Sequence, residues 1–409
     1  MILRKKAALG DERWFPRPND IIAYNLLEAL RGDSCPVCML THRSEDRFLF
    51  SLFWENVNSP HIRHRLRQSL GFCEYHSRVV WLTVRQPWAG ALGVTILYRD
   101  FVNTVLGRLR DPSPLRARLF TKQADRVRRL MRPTHRCWLC ELSEETEGTY
   151  LDALVEGMDT SPALRHQYSE SPSLCIPHSE RTIHASRTAD ARNAMVAGAH
   201  SRGLALSASV ISIDDLGRFL LGYRSILEST SMSHRMEPAC PGCAAEVAAE
   251  QSALQEITPD DLTTTWPQLC SRHRSQATLG TLGRLAVREC FVQGIVERAL
   301  SDADESEMGY ECPVCYRAGQ AAKEAISAAG PQLGRTGCLP HIRLALQDAR
   351  TEQAQAYTGS LMPRLDSLSR DMSELIRKYD YRFSHEPWGD EKDSWMRGLI
   401  FFGSERAAP

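Results

Sequence analysis

Four Cys-x-x-Cys pairs alternate in strict order with four Cys-x-x-His pairs, and this alternation limits what the chain can fold into. The first set is Cys35 and Cys38 with Cys73 and His76; the second is Cys137 and Cys140 with Cys175 and His178. The third is Cys240 and Cys243 with Cys270 and His273; the fourth is Cys312 and Cys315 with Cys338 and His341. Twelve of the thirteen cysteines and four of the thirteen histidines fall into the scheme, leaving Cys290 over. Each set supplies three thiolates and one imidazole, the complement of a closed tetrahedral zinc site. Four Zn2+ ions are therefore expected, with iron–sulfur ligation as the alternative.

Spacing supports the metal reading. A Cys-x-x-Cys turn brings two sulfurs to one side, and Pro36, Pro241 and Pro313 pre-set its backbone. Ligands three apart in Cys-x-x-His share one face of a helical turn. Between the halves of the sets lie 34, 34, 26 and 22 residues, enough for a helical hairpin back to the metal. Disulfides would leave the histidines unexplained, and nothing at the start of the chain resembles a secretory signal. Iron–sulfur ligation is weaker because the tight cysteine runs of ferredoxins are missing. A redox switch would need exposed, low-pKa thiolates.

The rest of the chain reads as helix. Ile22, Leu26 and Leu30 recur at four-residue spacing behind a capping Asp20, predicting a helix from about 20 to 31. Phe48, Leu49, Leu52 and Phe53 mark a second, stopping at Asn58-Ser59-Pro60, and Ile62, Leu66 and Leu70 a third that Gly71 ends. A helix is expected from Cys73 to before Pro87 and another from 88 to 110, with a break at Asp111-Pro112-Ser113-Pro114. Further helices are expected after Asp214 and around 282–296, and a long one after His341, interrupted or kinked near Pro363. Val210-Ile211-Ser212-Ile213 is the best strand candidate and too short to build a sheet.

A gapless shift of 102 residues superimposes the second set on the first. It aligns Cys35 with Cys137, Leu40 with Leu142, Leu49 with Leu151, Ser59-Pro60 with Ser161-Pro162, and His76 with His178. Matching leucines and the Ser-Pro break imply a duplicated fold unit. The expected class is all-α: four tandem units at 1–133, 134–236, 237–308 and 309–409, each pinned by its own Cys3His site. Exchange of ligand halves between neighbouring units is the alternative. The duplication argues against it, since each copied block holds a whole set.

The Cys-Pro-x-Cys pairs, the Gly71-Phe72-Cys73-Glu74-Tyr75-His76 turn and the ending resemble a family of bacterial Cys/His-rich helical proteins of no assigned activity. That ending runs Tyr379-Asp380-Tyr381-Arg382-Phe383, then Glu386-Pro387-Trp388-Gly389-Asp390-Glu391-Lys392-Asp393-Ser394-Trp395. Family members have about half this length and two such sets, so this chain looks like a doubled version. The resemblance implies a helical fold and supplies no activity.

Composition narrows the function classes. At 409 residues the chain exceeds one ordinary core, and no run of 18 apolar residues marks a membrane span, so a soluble, cytoplasmic protein is expected. Formal charge is zero, and twelve thiolates with four divalent ions would bring it to about −4, which favours no polyanion. The stretch 99–136 holds eleven Arg or Lys against three Asp, and His61, Arg63, His64, Arg65 and Arg67 form a smaller basic patch. With 44 Arg and six Lys overall, these read as solvated helix faces before they read as a nucleic-acid surface. The phosphate-binding loop, dinucleotide fingerprint and Gly-x-Ser-x-Gly elbow are all missing. Cys290 beside Phe291 and Val292 reads as a small core residue. The sequence points to a non-enzymatic scaffold or adaptor for a protein partner. A nucleic-acid-binding regulator and a redox or metal-handling protein stand as alternatives. The C-terminal aromatic and acidic segment is expected to be a latch on the last helices, with Asp390 capping the final one.

Overall fold

The computed structural model describes residues 21–110 (apart from 33, 87 and 88), 129–170, 174–208, 240–257 and 312–403, together with 127, 265, 268–270, 273, 274, 276 and 277. The elements named below are helices, and the described residues include no strand. The expected Asp20 cap, the break at 111–114, the segments 210–227 and 282–296, and Cys290 lie outside them.

The N-terminal half begins with α1 (Ile21–Ala29), α2 (Pro36–Ser51), α3 (Pro60–Ser69), α4 (Glu74–Val84) and α5 (Leu92–Arg110). Then come α6 (Trp138–Thr160), α7 (Pro162–Glu170), α8 (Ile176–Ala185) and α9 (Ala189–Ala208). The chain continues with α10 (Pro241–Gln255), α11 (Pro313–Ala329), α12 (Leu339–Asp348), α13 (Thr351–Lys378) and α14 (Ser394–Gly403). Helix α2 runs on through a π turn, Leu52–Asn56, and stops before Ser59-Pro60, where the restricted residue ahead of a proline ends a helix. Helix α5 starts at Leu92, four residues later than the apolar pattern implies.

Among the described residues, two apolar cores hold most of these helices. The larger draws Leu97, Tyr98, Phe101 and Val105 of α5 against Leu361, Leu365, Leu368 and Met372 of α13, with Phe401 and Phe402 of α14. The last helices of the chain therefore complete the core of the first half. Tyr98, Phe101 and Phe402 meet edge to face or tilted at centroid distances of 5.3–6.0 Å, the geometry their quadrupoles favour. The smaller core joins α1, α2, α6, α7, α8 and α9 through Leu26, Leu40, Leu154, Met158, Leu164 and Met195. Where α2 and α6 pack together, Thr146 Oγ1 donates to Ser44 Oγ at 3.3 Å, a contact between positions 102 residues apart.

Two expectations shift. The stretch after His341 is two helices, broken at Ala349-Arg350, where Gln353 Oε1 accepts from the Arg350 N–H at 2.8 Å. Pro363 sits inside continuous α13 rather than at an interruption. In the C-terminal segment, Gly389 rather than Asp390 precedes the turn Asp390–Asp393, and Glu391 Oε1 accepts the Gly389 N–H at 2.8 Å. Asp390 is exposed. Two acidic residues of the segment are engaged from within: Glu386 pairs with Arg377, and Glu391 lies 2.6 Å from Lys378 Nζ. Lys378 also donates to the Pro387 carbonyl at 2.7 Å.

Candidate metal centres

Each first cysteine of a Cys-x-x-Cys pair is the N-cap of a helix: Cys35 for α2, Cys137 for α6, Cys240 for α10 and Cys312 for α11. The pair is thus a helix start, and Pro36, Pro241 and Pro313 occupy the first helical position, where a missing N–H costs nothing. Cys73, Cys175 and Cys338 likewise cap α4, α8 and α12. Around Cys270 the same local bond forms, with the Arg274 N–H donating to its carbonyl at 2.9 Å. Helix N-termini present unpaired N–H groups and a positive dipole end, which favour thiolate over thiol. Entry to Cys73 is set by two left-handed residues, Leu70 (φ 53°) and Gly71 (φ 93°), with the Gly71 N–H closing onto the Leu66 carbonyl at 3.1 Å.

The sixteen ligands gather in four groups, each within 4.8 Å, and the grouping is not the one expected. Site A is Cys35, Cys38, Cys175 and His178; site B is Cys73, His76, Cys137 and Cys140. Site C is Cys240, Cys243, Cys338 and His341; site D is Cys270, His273, Cys312 and Cys315. Every site takes its Cys-x-x-Cys from one unit and its Cys-x-x-His from the neighbour. Pairing within units is overturned. Ligand halves are exchanged in both pairs because α2 packs along α6, and α10 along α11, which brings the start of one helix to the neighbour's returning turn.

Geometry within the groups is uniform. All four histidines turn Nδ1 towards the sulfurs, at 3.2–3.4 Å in site A and 3.3–3.5 Å in site B. The same separations are 3.1–3.4 Å in site C and 3.3–3.4 Å in site D. The sulfur pairs Cys38–Cys175, Cys73–Cys140, Cys243–Cys338 and Cys270–Cys315 stand at 3.8, 3.6, 3.7 and 3.5 Å. A tetrahedron with Zn–S about 2.3 Å and Zn–N about 2.0–2.1 Å separates its corners by roughly 3.8 Å (S–S) and 3.6 Å (S–N). These groups are close to that size and far from the ~2.05 Å of a disulfide. Each could hold one metal ion.

The other ring nitrogen of each histidine faces a carboxylate that sequence reasoning missed. His76 Nε2 lies 3.2 Å from Glu45, His178 Nε2 3.0 Å from Glu147, His273 Nε2 3.3 Å from Glu250 and His341 Nε2 3.3 Å from Glu246. A carboxylate at Nε2 fixes the tautomer that leaves the Nδ1 lone pair for a metal. Burial alone would raise Glu45, but hydrogen bonds from His42, His76 and Ser143 hold it down to about 2. Burial would likewise lower His76, yet Cys137, Cys140 and Glu45 together push it up to about 11. The signal was present in the sequence: Glu45 and Glu147 are themselves 102 residues apart.

One glycine is dictated by a ligand. Gly242 stands inside Cys240-Pro241-Gly242-Cys243, and a Cβ there would sit 2.6 Å from the His341 ring. The matching positions in the other pairs hold Val37, Leu139 and Val314.

The described arginines of the basic stretch are mostly exposed, and several are engaged in ion pairs or hydrogen bonds. Arg110 pairs with Asp366, Arg136 Nη1 donates to Glu144 at 3.0 Å, and Arg108 donates to the carbonyls of Leu130 and Arg67 at 3.1 and 3.4 Å. Residues 111–126 and 128 lie outside the described set. In the smaller patch Arg63 donates to the Val57 carbonyl at 2.8 Å, Arg65 pairs with Glu141 over the Trp138 ring, and Arg67 lies 2.9 Å from Asp100. No helix among the described residues is long and apolar enough to cross a membrane.

The model of a family of unknown function, DUF6062, matches residues 19–196 and 332–408. The chain belongs to that family. The matched residues carry sites A and B entire, half of site C and the C-terminal helices; the unmatched stretch between them carries all of site D. A relative described as an uncharacterized 23.9 kDa protein in the xynA 3′ region of Caldicellulosiruptor sp. (strain Rt8B.4) is 22% identical over 177 residues. That match covers 43% of this DUF6062 chain and 79% of the relative. No solved structure matches.

Proposed function

We propose that this DUF6062 chain is a non-enzymatic helical scaffold built around four structural zinc ions, which presents a surface to a protein partner. One observation carries the zinc reading: each site is complete, with four protein ligands at the separations of a single tetrahedral ion. A catalytic zinc keeps a position open for water or substrate, and a complete Cys3His set leaves none. Spacing suited to one ion also favours zinc over a cluster, whose bridging sulfides would set the thiolates further apart. Structural zinc contributes about 10–16 kcal/mol of apparent binding free energy in small peptides, against about 5–15 kcal/mol for a whole domain. The metals would thus be the main stabilising element of such helix-rich units. The 102-residue relation between the first two sets fits an internal duplication whose copies trade ligand halves, as in a domain-swapped dimer fused into one chain.

Support for the partner reading is the exposure of large apolar side chains beside the metal-held helices. Tyr24 and Trp54 are each 64% exposed, and Tyr381 is 84% exposed. The pairing of Arg110 with Asp366 and of Arg136 with Glu144 offsets part of the basic charge a nucleic acid would need, which favours a protein partner. Metal analysis with an absorbance spectrum on freshly purified full-length protein tests the first part. Four zinc ions per chain and no visible band are expected; a brown protein containing iron would overturn it. For the second part, a complex captured by cross-linking should be lost in Trp54→Ser with unchanged zinc content, and a salt-sensitive complex with generic DNA would contradict it.

A further inference from the structure

We propose that Glu45 and Glu147 are positioning residues that couple the loading of sites A and B, each carboxylate orienting the histidine of the site opposite its own helix. The inference rests on the metal reading above and deepens it. Helix α2 begins at site A with Cys35 and Cys38, yet its Glu45 contacts His76 of site B. Helix α6 begins at site B with Cys137 and Cys140, yet its Glu147 contacts His178 of site A. Both glutamates stand seven residues beyond the second cysteine, about two helical turns along. The Ser44–Thr146 contact places a local two-fold axis between the two helices, so each helix starts in one cage and supports the other.

Coupling follows from that arrangement. A metal in site A fixes the first turn of α2, and with it the height and rotation of Glu45. Glu45 in turn fixes the His76 ring in the orientation site B needs, with Ser143 Oγ donating to the same carboxylate oxygen at 2.5 Å. Site B acts back on site A through α6 and Glu147. Binding free energies are linked reciprocally, so whatever site A lends to site B is returned. The C-terminal pair supplies an internal control. There Glu250, on the helix of site C, supports His273 of site D, but the answering position seven beyond Cys315 is Ala322. His341 instead takes Glu246 from the helix of its own site. The cross-connection runs one way in that pair.

The test reads each site separately in the full chain. Cysteines are alkylated with iodoacetamide across graded free zinc, and protection is mapped by mass spectrometry. Glu147→Gln should raise the free zinc that half-protects Cys35, Cys38 and Cys175 by about 10–100-fold, the usual effect of removing a histidine's carboxylate partner. Protection of Cys73, Cys137 and Cys140, on Glu147's own helix or beside it, should fall less, and only through the lost coupling. Glu246→Gln should loosen Cys240, Cys243 and Cys338, its own site. Cys140→Ser should weaken site A in the wild-type background and add little in the Glu147→Gln background. Loss at site B first, equal loss at both sites, or effects of Cys140→Ser and Glu147→Gln that multiply would each overturn the proposal. Should Glu147→Gln fail to fold, Glu147→Asp, which keeps the charge, carries the same comparison. Cysteines that zinc protects nowhere would sink the metal reading itself, a result distinct from protection without coupling.

Discussion

The N-terminal and C-terminal pairs of sites follow one wiring plan with different completeness. In both, ligand halves cross between neighbouring units. In sites A and B both histidines are braced from the opposite helix, the spacers are equal at 34 residues, and the whole assembly falls within the family match. In sites C and D the spacers shrink to 26 and 22, one brace is replaced from within, and Cys315 is exposed. The difference separates what a cage requires from what a pair of cages can share. Four ligands at the right separation persist in every site; reciprocal support persists only where the helix register is kept.

The comparison breaks first at the level of whole cages. Cys73→Ser should empty site B and melt α2, α4, α6 and α8 together, since site B joins elements of two units. Loss of helical signal and of cooperative thermal unfolding should be large, on the scale of the ~10–16 kcal/mol a structural zinc contributes. Cys315→Ser should release one metal and leave the main unfolding transition in place. Equal melting of the two variants by circular dichroism would erase the distinction between the pairs.

Gly242→Ala is the next lever. A Cβ 2.6 Å from the His341 ring displaces a ligand, so site C should lose metal affinity by tenfold or more, while Val37→Ala at the matching position of site A should keep its zinc. Zinc stoichiometry after dialysis against a weak chelator reads the result. A gentler contrast comes from exposure. Under graded chelator or peroxide, Cys315 and Cys270 of site D should become alkylated before any cysteine of site C, all four of whose ligands are buried. Site C opening first would reverse the ranking. The smallest effect belongs to Arg110→Ala, which removes the surface pair with Asp366 between α5 and α13 and should cost about 0.2–1 kcal/mol in a thermal melt. A larger loss would shift credit from the cages to the helix–helix seam.

Which sixteen side chains would gather into Cys3His groups was legible in the sequence because the alternation of pairs is strict, and helix class because apolar spacing and Ser-Pro stops agree. Ligand partnership was not legible, for a physical reason. A duplication copies both halves of a set, so closed and exchanged pairings have identical sequences, and only the packing of α2 on α6 decides between them. Glu45 and Glu147 carried a readable signal in the same 102-residue shift, hidden because charged residues at matching helix positions look like solvated faces. Pro363 promised a break, yet α13 runs through it unbroken, while the real break at Ala349-Arg350 carries no proline. The arginine-rich stretch reads as solvated helix faces in the sequence, and the described Arg110, Arg129, Arg132 and Arg136 are exposed; what the sequence could not show is that Asp366 and Glu144 pair two of them.

Exchanged ligands also set a timetable for synthesis. Cys35 and His178 are 143 residues apart in the chain, and Cys240 and His341 are 101 apart, so neither cage can close while its second half is still inside the ribosome. Site B, whose ligands lie between those of site A, is complete first, at Cys140, and site A follows at His178. A nascent chain of this kind carries open thiols through much of its translation, and its N-terminal helices wait for residues that have not yet been made.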